Sequence, residues 1–320
     1  MSPRWPRLVA AALLVCTSWA ARAEDRNPSC PPEAAAPTAE QVRTGLREAR
    51  DRGFLWRIDK GGHRSYLYGT LHVGRPAWIY PGPHVLQAMR ASDTVALEVD
   101  LLDPEMQRAM HDGMTSQPPL ALPEPLKARL AAQIQAECLT PAAMAQLGPE
   151  MQVATLSLLV ARRDGLDPAY AIDLALDGFG HGAGKQVVSL ETPALQLAVL
   201  QAPDPKQALE AVESGLDDLE SGRAKPQLLH IASVWEGSDF DQLSHYASWC
   251  DCLKTDAERT AMRRLLDDRN PGLADAIDAL HARGRSVFAA VGSLHMIGPQ
   301  GLPELLARRG YTVERVAYGP

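Results

Sequence analysis

Two histidines stand in the same local pattern at opposite ends of the chain, each three residues after a glycine. Gly69 and His72 follow an apolar segment near the start, and Gly292 and His295 follow another near the end. Glycine lets the backbone turn sharply and approach a ligand closely, and an imidazole supplies a nitrogen ligand or carries a proton. Because ligands of open α/β sheets lie beyond the carboxyl ends of the strands, the pattern predicts one site assembled from both ends of the chain.

Two carboxylates also come directly after apolar segments. Glu98 follows residues 95–97, and Glu191 follows residues 187–190. Parallel strands covered on both faces are apolar throughout, so four ionisable residues at strand ends indicate a shared site more strongly than four separate caps. Two histidines with one or two carboxylates can hold a divalent metal with open positions. These nitrogen and oxygen ligands suit Zn, Mn, Co or Fe, and such an ion activates water and polarises a carbonyl.

A third Gly-x-x-His match, Gly178 with His181, precedes a predicted strand instead of following one. From 24 glycines and nine histidines in 320 residues, fewer than one match is expected by chance. We interpret this one as the chance match, in a surface glycine-rich loop. It is not a phosphate-binding loop, because Phe179 stands where the first glycine is required and Gln186 replaces the serine or threonine.

Few other residues are candidates for a catalytic or binding role. Arg269 and Asn270 follow a predicted helix at a Pro-Gly break and are interpreted as a helix end. An arginine there could also clamp a carboxylate or stabilise an oxyanion. The sequence has no Gly-x-Ser-x-Gly segment and no cysteine with a clear basic partner, which argues against a nucleophilic hydrolase.

The elements that must position these residues are predicted from hydrophobic periodicity. Helical periodicity dominates about 101–183, and Thr192 with Pro193 marks the start of a later helix. We expect an α/β fold, with α+β as the alternative, in which a central mixed sheet carries the site at its strand carboxyl ends and the helical middle section covers it. Strands are predicted at 54–58 and 64–68 as a pair across residues 60–62, at 94–97, at 185–190, and in a closing strand–loop–helix–strand unit over 286–318.

Residues 1–23 resemble a signal peptide. Arg4 and Arg7 form a basic start, a short apolar run follows, and residues 21–23 read Ala-Arg-Ala, a typical cleavage signal. The apolar run is too short to span a bilayer, although an uncleaved anchor is the alternative. We expect cleavage near Ala23 and export to the periplasm or the medium. One domain over 24–320 would remain, with a helical insertion at about 101–183 and no integral membrane span.

The charge balance limits the class of partner. The formal net charge is −7, and loss of the leader, which contains three arginines and no acidic residue, would lower it to −10. An acidic protein of this kind lacks the basic surface that binds nucleic acid or anionic membranes. No nucleic-acid partner is therefore expected.

Four cysteines remain after the predicted cleavage: Cys30, Cys138, Cys250 and Cys252. An even number of cysteines in an exported protein predicts disulfides. We expect a Cys250–Cys252 bridge to be strained, which favours pairing of Cys30 and Cys138 with these two or with each other. The connectivity stays open at this point.

Five stretches of the sequence resemble the TraB/GumN family, which includes the TIKI proteases: YLYGTLHVG, VALEVD, AIDLAL with KQVVSLETPALQL, DDRNPGLADAI and VFAAVGSLHMIGPQGLPELLARRGYTV. The resemblance implies metal ligands at His72 and His295, with Glu98 as a ligand or general base. It also implies supporting roles for three further residues, Glu191, Arg269 and Asn270. One departure is that Ala171 and Ile172 stand where a glycine is expected before Asp173, so Asp173 receives no role here.

These observations lead to one main hypothesis and two alternatives. The main hypothesis is an exported metal-dependent hydrolase, a peptidase with a peptide or protein substrate, in which His72 and His295 bind the metal and Glu98 activates water. Arg269 or Asn270 would then polarise the scissile carbonyl. The first alternative is a non-enzymatic protein that binds a peptide, a glycan or a haem-like ligand in the same cleft. The second is a purely structural polar cluster.

Overall fold

In the computed structural model of the chain, residues 30–116, 120–202 and 204–319 are described. The signal peptide predicted for residues 1–23 lies outside these ranges. The described part contains one six-stranded sheet. Its strands are β1 (Phe54–Lys60), β2 (His63–Thr70), β3 (Thr94–Leu97), β4 (Gln186–Ser189), β5 (Val287–Gly292) and β6 (Thr312–Arg315).

The first two strands form the predicted hairpin. Lys60 pairs with His63, and only Gly61 and Gly62 lie between them. Both glycines have positive φ, 59° and 78°, as two-residue hairpin turns that match the strand twist require. Glycine takes this conformation without a steric penalty, so the Gly-Gly pair sets the register of the hairpin.

The strand order is β4-β3-β5-β2-β1-β6. Strands β2, β3, β4 and β5 are mutually parallel, whereas β1 is antiparallel to both β2 and β6. The central strand β5 is buried along residues 287–291, which agrees with its uninterrupted apolar sequence. The predicted α/β class and the mixed sheet are confirmed. The carboxyl ends of the four parallel strands therefore lie on one edge of the sheet.

Helices make up most of the remaining chain. Several begin with proline in the first turn, where its missing N–H costs nothing, and the predicted cap at Thr192 is present because its hydroxyl accepts from the N–H of Leu195. The bounds are α1 (Ala39–Glu48), α2 (Pro83–Ala91), α3 (Pro104–Ser116), α4 (Glu124–Ala136), α5 (Pro141–Met144), α6 (Pro149–Leu159), α7 (Ile172–Gly182), α8 (Pro193–Leu200), α9 (Pro205–Glu220), α10 (Ala224–Glu236), α11 (Phe240–Ser244), α12 (Tyr246–Trp249), α13 (Asp256–Leu265), α14 (Asn270–Ala282) and α15 (Leu302–Arg308).

The apolar side chains form two cores. The larger one contains the sheet together with residues from α2, α7, α10, α14 and α15. The smaller one joins α4, α5 and α6 to α9, with Val212 and Leu216 of α9 fully buried in it. Helix α7 thus belongs to the sheet layer, and α9 packs with the earlier helices. No helix in the described ranges combines the length and apolar character needed to cross a membrane.

The segment around His181 is not the surface loop predicted from its glycines. Residues 178–181 lie inside α7. A Cβ on Gly180 would lie only 2.9 Å from Cγ2 of Val187 and 3.3 Å from Cβ of Val95. Gly180 therefore lets the helix pack closely on β3 and β4, and this packing outweighs the low helix propensity of glycine.

Arg269 and Asn270 lie at the start of a helix, where the sequence analysis predicted a helix end. Helix α13 ends at Leu265, Arg269 occupies the N-cap position of α14, and Asn270 begins that helix. Pro271 falls in the first turn, where proline is well tolerated, so the Pro-Gly pair starts the helix here and does not break one. This start orients both side chains towards the carboxyl edge of the sheet.

The cysteines form two pairs. The sulfur atoms of Cys30 and Cys138 are 2.00 Å apart, and this pairing is one that the sequence left open. Cys250 pairs with Cys252, with a sulfur–sulfur distance of 2.21 Å, so the expectation against this pairing was wrong. The two Cα atoms lie 5.1 Å apart, a separation that a disulfide ordinarily spans.

Candidate functional site

Three of the predicted residues meet around Gly292 at the carboxyl edge of the sheet. A Cβ on Gly292 would lie 3.3 Å from Oε1 of Glu98, 3.6 Å from Cδ2 of His295 and 4.0 Å from Nε2 of His72. The N–H of Gly292 donates to Oε1 of Glu98 at 2.8 Å. A side chain at this position would enter the space that these three groups face, and its Cβ would lie in tight contact with Glu98.

Arg269 lies at the centre of the cluster and pairs with two carboxylates, those of Glu98 and Glu191. Its Nη2 donates to Oε2 of Glu98 and to Oε2 of Glu191, each at 2.5 Å, and its Nε donates to Oε1 of Glu191 at 2.9 Å. The Nη1 group donates to the carbonyl of Leu265 at 2.9 Å and lies 3.2 Å from Nε2 of His295. All five N–H groups of the guanidinium are thus engaged.

The ion pair between Arg269 and Glu191 is buried, which affects the pKa of the arginine. The side chains of Arg269 and Glu191 are only 5% and 2% exposed. Burial alone would lower the pKa of Arg269, but hydrogen bonding to Glu191 and the charges of Glu98 and Glu191 raise it. The arginine is therefore a permanent cation whose charge is cancelled inside the protein.

Gln196 extends the carboxylate network from α8. Its Nε2 donates to Oε2 of Glu191 at 2.6 Å and lies 3.4 Å from Oε2 of Glu98. The capped start of α8, directly after the end of β4, places this amide one helical turn beyond Thr192. Gln196 therefore helps to hold both carboxylates in one orientation.

His295 is held as a neutral ring. It is buried, and burial lowers its pKa to about 4. Its Nδ1 lies 2.5 Å from Oδ1 of Asn270, whose Nδ2 donates to the carbonyl of Gln300 at 2.8 Å. Because the amide oxygen only accepts, we assign the ring proton to Nδ1. The lone pair on Nε2 then points to Nη1 of Arg269, 3.2 Å away.

His72 is the accessible imidazole of the cluster. Its Nδ1 lies 2.9 Å from Oδ2 of Asp173, in the first turn of α7, and 56% of its side chain is exposed. Attraction to Asp173 outweighs desolvation and raises the pKa of His72 to about 9. The Oδ1 atom of Asp173 is buried and has no hydrogen-bond partner. The second nitrogen of His72, Nε2, faces the shared space around Gly292.

Glu98 stays ionised between these groups. Burial by itself raises its pKa, but the positive charges around it and the N–H of Gly292 lower the pKa to about 2. At the acidic pH where Glu98 titrates, His295, with a pKa of about 4, carries a proton, and its charge lowers the pKa of Glu98 most, followed by the charges of His72 and Arg269. Glu98 is therefore a stable anion and a weak base at neutral pH.

Replacing Asp173 with asparagine is expected to lower the pKa of His72 from about 9 towards the ordinary value of about 6.5. The amide keeps the shape of the carboxylate but removes its charge. The shift can be followed by NMR titration of the His72 ring in chelator-treated protein. The same substitution should leave the resonances of His84, which pairs with Asp51, unaffected. An unchanged titration of His72 would contradict the assignment of Asp173 as the cause.

The residues match a divalent cation in donor chemistry. Each histidine is held at Nδ1 by a side-chain oxygen, the support that metal-binding imidazoles ordinarily have, and Glu98 is anionic. The distances between the ligand atoms fit a metal site less well than their chemistry does. Within residues 30–116, 120–202 and 204–319, the ligand atoms of His72, Glu98 and His295 do not form a group lying entirely within 4.8 Å. His295 would bind an ion through Nε2 only once Arg269 releases its contact.

Two residues of the site received no role in the sequence analysis. Asp173 orients His72, and Gln196 bridges the two glutamates. Each lies on a helix that begins just before it, α7 or α8. A polar residue in the first turns of a helix that starts near a strand end was the available signal, but sequence alone did not show which strand end each helix approaches.

Comparison with known proteins identifies the family of the chain but no individual relative. No curated protein and no solved structure matches the chain. The model of the TraB/PrgY/gumN family matches residues 54–315. This range begins at the first residue of β1 and ends at the last residue of β6, so it includes the whole sheet and every residue of the cluster. The chain belongs to the TraB/PrgY/gumN family.

Proposed function

We propose that the protein is a hydrolase whose reaction takes place at the cluster around Gly292. The observation that carries the proposal is the convergence of His72, Glu98 and His295 on one space, with an accessible, carboxylate-supported imidazole at its mouth. A half-exposed His–Asp pair beside buried fixed charges is typical of a site that transfers protons. A purely structural cluster has no need of an exposed member with a strongly shifted pKa.

We include a divalent metal ion, Mn, Co, Zn or Fe, in the proposal. Nε2 of His295 and a carboxylate oxygen of Glu98 would hold it, whereas His72, whose pKa of about 9 keeps a proton on its ring at neutral pH, would lie beside the ion without binding it. When bound, such an ion supplies Lewis-acid polarisation of a carbonyl. The anionic state of Glu98 and the Nδ1 contact of His295 with Asn270 support this assignment.

The remaining residues receive distinct roles. The Asp173–His72 pair moves the proton at Nε2 of His72, since Glu98, with a pKa of about 2, is too weak a base to do so efficiently. Arg269 and Asn270 have their polar groups engaged by protein partners. We therefore propose that they position Glu98, Glu191 and His295, and that they do not polarise the substrate carbonyl as the sequence suggested.

The proposed peptide substrate and the proposed export of the protein rest on different observations. The peptide class comes from the resemblance to the TIKI proteases. The two cystine pairs, Cys30–Cys138 and Cys250–Cys252, support export, because structural disulfides persist mainly in oxidising compartments. The predicted signal sequence supports the same compartment.

The decisive experiment measures cleavage of a peptide library by chelator-treated protein before and after addition of Mn²⁺, Co²⁺ or Zn²⁺. We expect cleavage to require the added ion and Glu98→Gln to reduce the rate by at least about 100-fold, the usual loss when one fixed electrostatic contact is removed from an active site. Glu137→Gln is the matched control. Both carboxylates have side chains that are 12% exposed and pair with an arginine, Arg269 or Arg162.

The outcomes separate the parts of the proposal. Cleavage that persists without added metal would contradict the metal ion. Equal losses in Glu98→Gln and Glu137→Gln would indicate a general effect on folding and would contradict a role for Glu98. Peptide binding without turnover under every condition would favour the non-enzymatic alternative.

A further inference from the structure

A second cluster, formed by Asp100, Asp177 and His181, lies outside the site described above. Nε2 of His181 is 3.0 Å from each carboxylate oxygen of Asp100 and 3.3 Å from Oδ1 of Asp177. Asp100 and Asp177 are 5% and 1% exposed, whereas the side chain of His181 is 41% exposed. Within the described ranges, it is the one group of three His, Cys, Asp or Glu residues whose ligand atoms all lie within 4.8 Å of one another.

The imidazole proton of His181 cannot by itself satisfy the oxygens of this cluster. Nε2 of His181 carries at most one proton, and three carboxylate oxygens face it. If that proton goes to Asp100, Oδ1 of Asp177 stays without a hydrogen bond, as the structure shows. If the proton is on Nδ1 instead, a nitrogen lone pair faces the lone pairs of three oxygens. A buried carboxylate oxygen without a donor is costly, and a cation placed between these atoms would satisfy all of them.

The distances suit a metal ion. Two ligands about 2.1 Å from an octahedral ion and at right angles are about 3.0 Å apart. The separations of 3.0 and 3.3 Å agree with this value. Burial and the nearby charge of Asp100 raise the pKa of Asp177 to about 7, so a bound cation would compete with a proton for this carboxylate.

The local backbone holds both carboxylates in place. Oδ1 of Asp100 accepts from the N–H groups of Leu102 and Asp103, and Oδ2 of Asp177 accepts from the N–H of Leu101. Asp177 and His181 lie one turn apart on α7, so their side chains share a face of the helix. This support leaves Oδ1 of Asp177 and the imidazole directed at the same space.

We propose that Asp100, Asp177 and His181 bind a divalent transition-metal ion, separate from any ion at the Gly292 cluster. One imidazole with two carboxylates favours Mn²⁺, Zn²⁺ or Fe²⁺ over Mg²⁺ or Ca²⁺, which prefer oxygen ligands only. The ion would join the chain after β3 to helix α7. The ion would also stabilise two residues of the neighbouring site, because Glu98 precedes Asp100 by two residues and Asp173 precedes Asp177 by one helical turn.

The test uses Mn²⁺ and a protein that cannot bind it at the Gly292 cluster. In the His72→Ala/His295→Ala background, we expect one Mn²⁺ per chain by calorimetry and by the EPR signal of free Mn²⁺, together with a higher Tm. Addition of Asp177→Asn should weaken this binding by at least about tenfold and abolish the rise in Tm. His181→Ala, which alters a partly exposed side chain, should do the same and serves if the aspartate variant does not fold.

Asp51→Asn is the matched control. Asp51 is a buried carboxylate that binds the partly exposed His84 at 2.7 Å, and the described residues pair no second carboxylate with that histidine. This variant should bind Mn²⁺ as the background does. Absence of Mn²⁺ binding in the background, or equal binding after Asp177→Asn and His181→Ala, would overturn the proposal. Neither result depends on hydrolysis, because the background lacks both imidazoles of the Gly292 cluster.

Discussion

Replacing Arg269 with alanine is expected to lower the free energy of unfolding by about 3–5 kcal/mol, the usual cost of removing one partner from a buried ion pair. The substitution leaves Glu98 and Glu191 inside the protein without their shared cation. Desolvated carboxylates without a partner are expensive, and Gln196 alone supplies no charge. Urea unfolding of the wild type and the variant, followed by circular dichroism, measures the difference.

Arg129→Ala provides the matched comparison. Arg129 also bridges two carboxylates, Asp217 and Glu220, with similar geometry, but at the surface, where those carboxylates are 56% and 37% exposed. Water replaces the lost partner there, so little change in stability is expected. Similar unfolding free energies for the Arg269 and Arg129 variants would show that burial does not give the Arg269 cluster its importance.

Replacing His72 with alanine is expected to reduce the rate of hydrolysis by about 10²–10⁴-fold, the usual contribution of a positioned acid or base, with little loss of stability. The imidazole is more than half exposed and makes its side-chain hydrogen bond to Asp173, so the fold depends on it only weakly. The measurement compares kcat/KM on the peptide that the wild type cleaves fastest, together with the Tm of each protein.

His84→Ala is the control for this prediction. His84 forms a similar pair with Asp51, 2.7 Å apart, and 45% of its side chain is exposed, but its ring contacts Asp51 and Tyr318 and not the residues around Gly292. Its removal should leave kcat/KM unchanged. If both variants hydrolyse peptides at the wild-type rate, His72 has no part in the reaction and the proposed role of the Asp173–His72 pair is incorrect.

The sequence alone was sufficient for the strands, though not for their order, and for the convergence of His72, Glu98 and His295 at the carboxyl edge of the sheet. The hairpin at Gly61-Gly62 and the buried strand β5 were predictable, because alternating and continuous apolar residues are signals that a short stretch of sequence contains by itself. Parallel strands have their carboxyl ends at a common edge. For this reason, ionisable residues after four apolar segments indicated a shared site at His72, Glu98, Glu191 and His295.

The partner of each side chain was decided by the tertiary structure. The Pro-Gly pair after Arg269 is compatible with a helix end or a helix start, and only packing of α14 placed the guanidinium between Glu98 and Glu191. Likewise, the sequence around His181 favours a glycine-rich loop. The structure shows a helix there, in which Gly180 packs against Val187. Sequence patterns report local periodicity, whereas contacts between residues far apart in the chain depend on how whole elements pack, and packing depends on the shape of all of them together.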